Sequence, residues 1–340
     1  MLRRTLEDLH DRVANVLCAA MKARGNGEPE IIARHLSLAG RTDEAVPAWQ
    51  QAGDRLGQRA AHIEAAEQYQ RGLDDLAKLP ASADRHKREY DLRVPLAAAL
   101  TPVVGWSATQ VAETYKDAQQ LAKTIGDPYR QFIALRGKFN VLFLMGRLTR
   151  AREVITELSN TAERSGDRML MNEAVKVEGL CALHEADFER AVEYLELATS
   201  GFSGDDSSRK QALVVFGTDP AVTGLSGLSW ARWFTGCRDS ADVCIGRALS
   251  LAKESGHAFS EAYACGFAAC LRQFACDAKG AKTDADHLIR LAVKYHFPYW
   301  EGWGRILLGW SLGHIGRGED GLAELNRGIE IYRSTGAQQM

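Results

Sequence analysis

A small residue returns along this chain at a spacing of about forty: Ala151, Ala191, Ala241 and Gly321, with the second interval stretched to fifty. Ala281 is a further member, although the window around it runs off register. Between these points apolar residues recur three and four apart, as in Ala191-Val192-Glu193-Tyr194-Leu195-Glu196-Leu197-Ala198, which is the period of a helix and not of a strand. The breaks share one chemistry. Gly126-Asp127-Pro128, Gly166-Asp167 and Gly217-Thr218-Asp219-Pro220 each place a residue that tolerates the left-handed conformation, then an N-terminal cap, then in two cases a ring that fits the first helical turn. Repeated helix pairs that pack closely at small side chains predict an all-α chain built as a solenoid.

The pattern within each repeat resembles the tetratricopeptide (TPR) hairpin, which has small residues at positions 8, 20 and 27, often Gly at 15, and a large apolar residue near 24. Gly309, Gly316, Gly321, Leu325 and Gly328 match all five positions. Gly179, Ala186, Ala191, Leu195 and Ala198 match with Ala at 15; Gly236, Ala241, Ile245 and Ala248 form a third window. Gly146, Ala151 and Ile155 give a weaker fourth, and Ala33, Gly40, Ala45, Trp49 and Ala52 a fifth. The expected fold is a right-handed superhelical solenoid of TPR-like antiparallel hairpins. Its period of about 40 residues is longer than the usual 34. One helical-repeat domain spans 1–340, with N-terminal hairpins over 1–80, further repeats over 81–340 and an irregular insertion near 201–223. Arg24-Gly25-Asn26-Gly27, Leu79-Pro80-Ala81-Ser82 and Gly201–Ser208 are the softest boundaries, the last being the most loop-like.

Leu9-His10-Asp11-Arg12-Val13-Ala14, Pro29-Glu30-Ile31-Ile32-Ala33-Arg34-His35, Ala45–Gly53, Glu64-Ala65 and Leu76–Pro80 follow in that order. Phe216–Pro220, Ala248–Ala252, Phe297-Pro298-Tyr299-Trp300 and Gly309-Trp310 come after them. Together they resemble the TPR-rich C-terminal region of bacterial adenylate/guanylate cyclase-like proteins that carry an AAA-type ATPase module. The resemblance implies an arm that senses or binds a partner in a signalling ATPase system. It also implies that the chain is a C-terminal piece or a stand-alone arm, without the cyclase and ATPase parts.

Charge and chemistry narrow the function. A net charge of −2 gives no basic stripe for nucleic acid. No window reaches the roughly 18 apolar residues of a membrane helix, and the mixed-charge start carries no apolar signal core. Seven cysteines read as reduced thiols of a cytoplasmic protein. The nearest approach to a phosphate-cradling loop, Gly280-Ala281-Lys282-Thr283, has Ala between Gly and Lys and Ala275 where the first Gly belongs. Cys265, Cys270 and Cys276, with Cys237 and Cys244, lack the two-to-four-residue spacing of zinc knuckles. Gly224-Leu225-Ser226-Gly227 is not a nucleophile elbow, and the carboxylates lie on amphipathic helices without a strand to present them. The expectation is a binding protein, not an enzyme, with no cofactor and no metal.

In TPR superhelices positions 2, 5, 9 and 12 of the first helix line the concave face. Carried onto the windows above, that register places Arg136 and Asn140, Glu173 and Lys176, Trp230 and Trp233, Tyr263 and Gln273, and Trp303 and Trp310 on the inner face. Trp and Arg beside a few polar groups suit a peptide or a partner helix. The same Trp residues also fit a reading as core between hairpins. The expected partner is a protein or peptide, with an upstream ATPase or cyclase module as a candidate; the alternative is a small-molecule effector held inside the superhelix.

Overall fold

The computed structural model describes residues 2–24, 27–59, 61–105, 108–202 and 206–338. Among them the chain forms seventeen helices and no strand. It divides into two compact units, one of residues 1–103 and 113–127 and the other of 104–112 and 128–340.

The first unit contains α1 (Leu2–Arg24), α2 (Pro29–Leu38), α3 (Thr42–Gly57), α4 (His62–Leu76), α5 (Ala83–Val104) and most of α6 (Thr109–Ile125). Ala14, Ile32, Ala33, Leu36, Ala45 and Trp49 make the core that joins α1, α2 and α3. The second unit is a row of hairpins: α7 (Pro128–Leu144) with α8 (Leu148–Ser165), α9 (Arg168–His184) with α10 (Phe188–Phe202), α12 (Pro220–Phe234) with α13 (Arg238–Ser255), α14 (Ala258–Phe274) with α15 (Ala278–Tyr295), and α16 (Pro298–His314) with α17 (Gly318–Ser334). A single helix, α11 (Asp206–Phe216), is inserted before α12. The stretch expected to be most loop-like thus carries a helix, and residues 203–205 of it lie outside the described residues, as do residues 25 and 26 of the first soft boundary.

The expected helix breaks are built as their residues dictate. Gly166 ends α8 at φ 66°, and the Asp167 carboxylate caps α9 by accepting from the Met169 and Leu170 amides at 2.8 and 3.1 Å. Ala186 also adopts φ 61°, a conformation that costs an L residue about 1–2 kcal/mol.

The repeating small residue has a structural cause. Ala151, Ala191, Ala241, Ala281 and Gly321 each occupy the fourth residue of α8, α10, α13, α15 and α17, so Ala281 is in register after all. The four alanines are fully buried. A Cβ added at Gly321 would stand 2.7 Å from the Gly309 carbonyl oxygen, so any side chain there pushes α17 off α16.

Within the second unit each first helix also packs on the next first helix: α7 on α9, α9 on α12, α12 on α14, and α14 on α16. These five form a continuous inner layer. After α17 the chain returns to the first hairpin, where the Gln338 amide donates to the Leu144 carbonyl at 2.9 Å.

Candidate functional site

The inner layer departs from ordinary helix chemistry. A second helix such as α8 is amphipathic, with Ala151, Val154, Ile155 and Leu158 facing inward and charges outward. In contrast α9 is buried along most of its length, and it still carries Glu173 and Lys176, both with no exposed surface. Charges are almost never placed this deep unless they are paired.

Glu173 answers Arg136 of α7. The Arg136 Nε donates to Glu173 Oε1 at 2.7 Å, and its guanidinium also donates to the Asn140 side-chain oxygen one turn on. Lys176 Nζ lies 2.8 Å from Glu173 Oε2, an ion pair between two fully buried groups one turn apart. Burial works to raise the Glu173 carboxyl, but Lys176 and Arg136 outweigh it and hold it below the usual range. Burial pushes the Lys176 ammonium down, opposed by Glu173 and assisted by Arg136. Two cations therefore share one carboxylate, in a place that water does not reach.

Beside this trio stands Asp219, the cap of α12, which is 1% exposed. Its Oδ1 accepts from the Ala221 and Val222 amides at 3.0 and 3.4 Å, and its Oδ2 takes Arg209 of α11 at 2.7 and 2.8 Å. The backbone amide of Asp219 donates to Ser260 Oγ at 3.0 Å, and His257 Nδ1 meets the same hydroxyl at 2.9 Å. Burial lowers the His257 imidazole, with Asp219 opposing. The local sequence favours a cap at Asp219 over a functional loop. The fifty-residue interval marks the insertion, but not that it forms the helix supplying Arg209.

Aromatic rings continue the layer. Tyr263 stacks on Phe267 with centroids 4.6 Å apart, Phe267 meets Trp230 at 4.3 Å and Trp303 at 5.7 Å, and Trp300 stacks on Trp303 at 5.2 Å. The Trp230 indole donates to the Phe267 carbonyl at 3.0 Å. Tyr263 and Tyr299 remain only half-buried. Even so, desolvation is the largest influence raising both phenols, and Arg136 and Glu173 act on Tyr263.

The ten residues expected on the inner face divide accordingly. Arg136, Asn140, Glu173 and Lys176 form one cluster, and Tyr263 lies within its electrostatic reach. Trp230 is half-buried on the aromatic wall, whereas Trp303 is 8% exposed and packed as core. Trp233 lies near the end of α12 against the Arg238 guanidinium at 4.8 Å, and Trp310 against His314 at 4.3 Å near the end of α16. Gln273 is half-buried in the last turn of α14.

Cys265 and Cys270 are buried in the core, where burial pushes each thiol up to about 12. Among the described residues no three His, Cys, Asp or Glu side chains are grouped to hold a metal, and no helix is long and apolar enough to cross a membrane.

No protein-family model matches the chain. A protein of Rhizobium meliloti (strain 1021), itself described as uncharacterized, is 23% identical over 353 residues; the match covers 99% of this chain and 33% of the relative. The chain thus spans about a third of the length of the curated relative it matches. Among solved structures, the Rap conjugation gene regulator of plasmid pLS20, in complex with a Phr peptide, superposes with TM-score 0.66 at 13% identity, over 89% of this chain and 76% of that one. The apo form of RapI superposes with TM-score 0.60 at 12% identity, over 85% and 98%. At these identities the likeness concerns the fold, which is a TPR-like helical-repeat solenoid.

Proposed function

We propose that the second unit receives an extended peptide segment of a partner protein on its inner layer of helices. The observation that carries this reading is the contrast between layers: the inner helices hold a desolvated charge cluster and a half-open aromatic wall, while the outer helices turn ordinary charged faces to water. A fold needs neither feature to stack hairpins, and buried charge lowers stability unless something uses it. A related fold holding a peptide, as the pLS20 regulator does, supports the same choice of ligand class.

The proposed setting is a cytoplasmic signalling system in which this chain acts as a non-catalytic scaffold or sensor arm, with an ATPase or cyclase-like module as one candidate partner. The length of the Rhizobium relative supports placement within a larger protein. A small-molecule effector is the second reading, favoured by the half-buried rings of Tyr263 and Tyr299 on the inner helices.

Peptides selected from a display library against the full chain test the proposal when their footprint is mapped by hydrogen exchange. Protection should fall on α7, α9, α12 and α14. Protection confined to α8, α10, α13 and α15, or no selected binder at all, rules the reading out.

A further inference from the structure

The charge cluster is unbalanced in a way that specifies a ligand. Arg136 and Lys176 together bring two positive charges to one Glu173 carboxylate, and that carboxylate is already used on both oxygens. The nearby Asp219 cannot supply the missing negative charge, because Arg209 neutralises it and two helix amides fill its other oxygen. One positive charge therefore remains in a largely buried place. Lys176 Nζ meets Glu173 Oε2 at 2.8 Å, and Arg136 commits Nε to Glu173 and one terminal nitrogen to Asn140, with no further guanidinium hydrogen bond among the described residues. Arg136 keeps a tenth of its side-chain surface, so it stands at the lip of the cluster with Lys176 behind it. The charge of Arg136 is felt at Tyr263, where the aromatic wall starts, and the wall runs through Phe267 to Trp230.

From this juxtaposition, and resting on the peptide reading above, we infer that the inner layer selects a ligand carrying a carboxylate beside an aromatic or large aliphatic group, with Arg136 as the docking point. A peptide C-terminus or an acidic side chain next to an apolar residue has this chemistry. The carboxylate accepts from the free guanidinium nitrogen of Arg136 and from the Tyr263 hydroxyl, and the apolar group lies on Phe267 and Trp230. Lys176 does not touch the ligand. It supplies the second positive charge that leaves Glu173 unable to repel the incoming anion. A bound anion also opposes the burial that lowers the Lys176 ammonium, so the complex holds that proton more firmly than the free protein. The groups that set this balance are Arg136 on α7, Glu173 on α9, Arg209 on α11, Asp219 at the start of α12 and Tyr263 on α14. Binding is therefore accompanied by proton uptake at Lys176.

The test uses the full chain and three probes: an octapeptide library with free C-termini, the same library amidated with Asp and Glu replaced by Asn and Gln, and 3-phenylpropionate. The expected result is that removing the carboxylate weakens binding at least about tenfold, the loss of one charge-assisted hydrogen bond. Arg136→Gln should abolish that preference, and Tyr263→Phe should reduce it several-fold. Calorimetry in two buffers of different ionisation enthalpy should show proton uptake that disappears in Lys176→Met. Circular dichroism checks each variant, and Asn140→Ala with Tyr263→Phe stands in if Arg136→Gln does not fold. Equal binding of free and neutral libraries, or a carboxylate preference that survives Arg136→Gln, overturns this inference and leaves the peptide reading standing. Binding of 3-phenylpropionate through Arg136 with no peptide bound in either library supports the carboxylate site and overturns the peptide reading. No binding of any probe overturns both.

Discussion

Each unit buries a carboxylate, and the two are handled in opposite ways. In the first unit Asp75, 3% exposed, accepts from Ser37 Oγ at 2.9 Å, Trp49 Nε1 at 2.8 Å and Lys78 Nζ at 2.6 Å. Its cation, Lys78, keeps 60% of its side-chain surface in water. In the second unit Glu173 is as deep, but both of its cations are buried with it, Lys176 fully and Arg136 to nine-tenths. Asp75 ties α2, α3 and α4 together with neutral donors and leaves the charge of its partner solvated. Glu173 gathers charge where solvation is lost. The first arrangement is complete as a structural lock; the second is complete only with a further negative group.

The largest effect that would sharpen this contrast is expected at Glu173. Glu173→Gln leaves two buried cations without an anion and should cost about 3–5 kcal/mol in urea unfolding, the usual cost of breaking a buried ion pair. A loss below about 1 kcal/mol would mean that the cations escape to water, and the distinction between the units would fall. Asp75→Ala comes next. It strands the Trp49 indole N–H and should cost about 1–3 kcal/mol, with a change in Trp fluorescence that reports the loss locally.

A smaller effect concerns pH. Burial lowers the imidazoles of His184 and His257 in the second unit. His184 lies edge-on to Phe143, and its Nδ1–H donates to the Leu180 carbonyl at 2.9 Å. Between the depressed folded value and the ordinary histidine value of 6.5 the unfolded chain binds the extra proton. Stability therefore falls as pH drops below 6.5, by at most about 1.4 kcal/mol per pH unit for each such histidine. Glu173, held below the usual range, adds a second loss only at more acidic pH, as it takes up a proton. His184→Gln should remove one proton from the first slope, and an unchanged slope would show that this imidazole is not desolvated.

Smallest of all should be Lys176→Met. It deletes the surplus charge, leaves the Arg136–Glu173 bond intact and should change stability by less than about 1 kcal/mol or raise it. A large destabilisation would place Lys176 with Asp75 as a structural lock.

Helix ends were legible in the sequence because they are local. Gly166-Asp167 and Asp219-Pro220 satisfy backbone groups within three residues, so their outcome depends on no distant contact. The small residues at Ala151, Ala191, Ala241 and Gly321 were legible for a related reason: close packing restricts the residue type whatever the partner is. The inner-face register carried Arg136, Asn140, Glu173 and Lys176 to one side of the hairpins by the same periodic logic. What those side chains do to one another depended on the distance between hairpins, which a period does not give. Only the folded chain brings Arg136 to Glu173, 37 residues away, buries Lys176 against the same carboxylate and lays Arg209 of α11 on Asp219. Likewise only packing decided that Trp303 is core while Trp230 stays half open. Local and periodic constraints fix which face a residue takes; the electrostatic balance on that face is settled by long-range contacts, because charge energies vary steeply with separation and with the water each contact excludes.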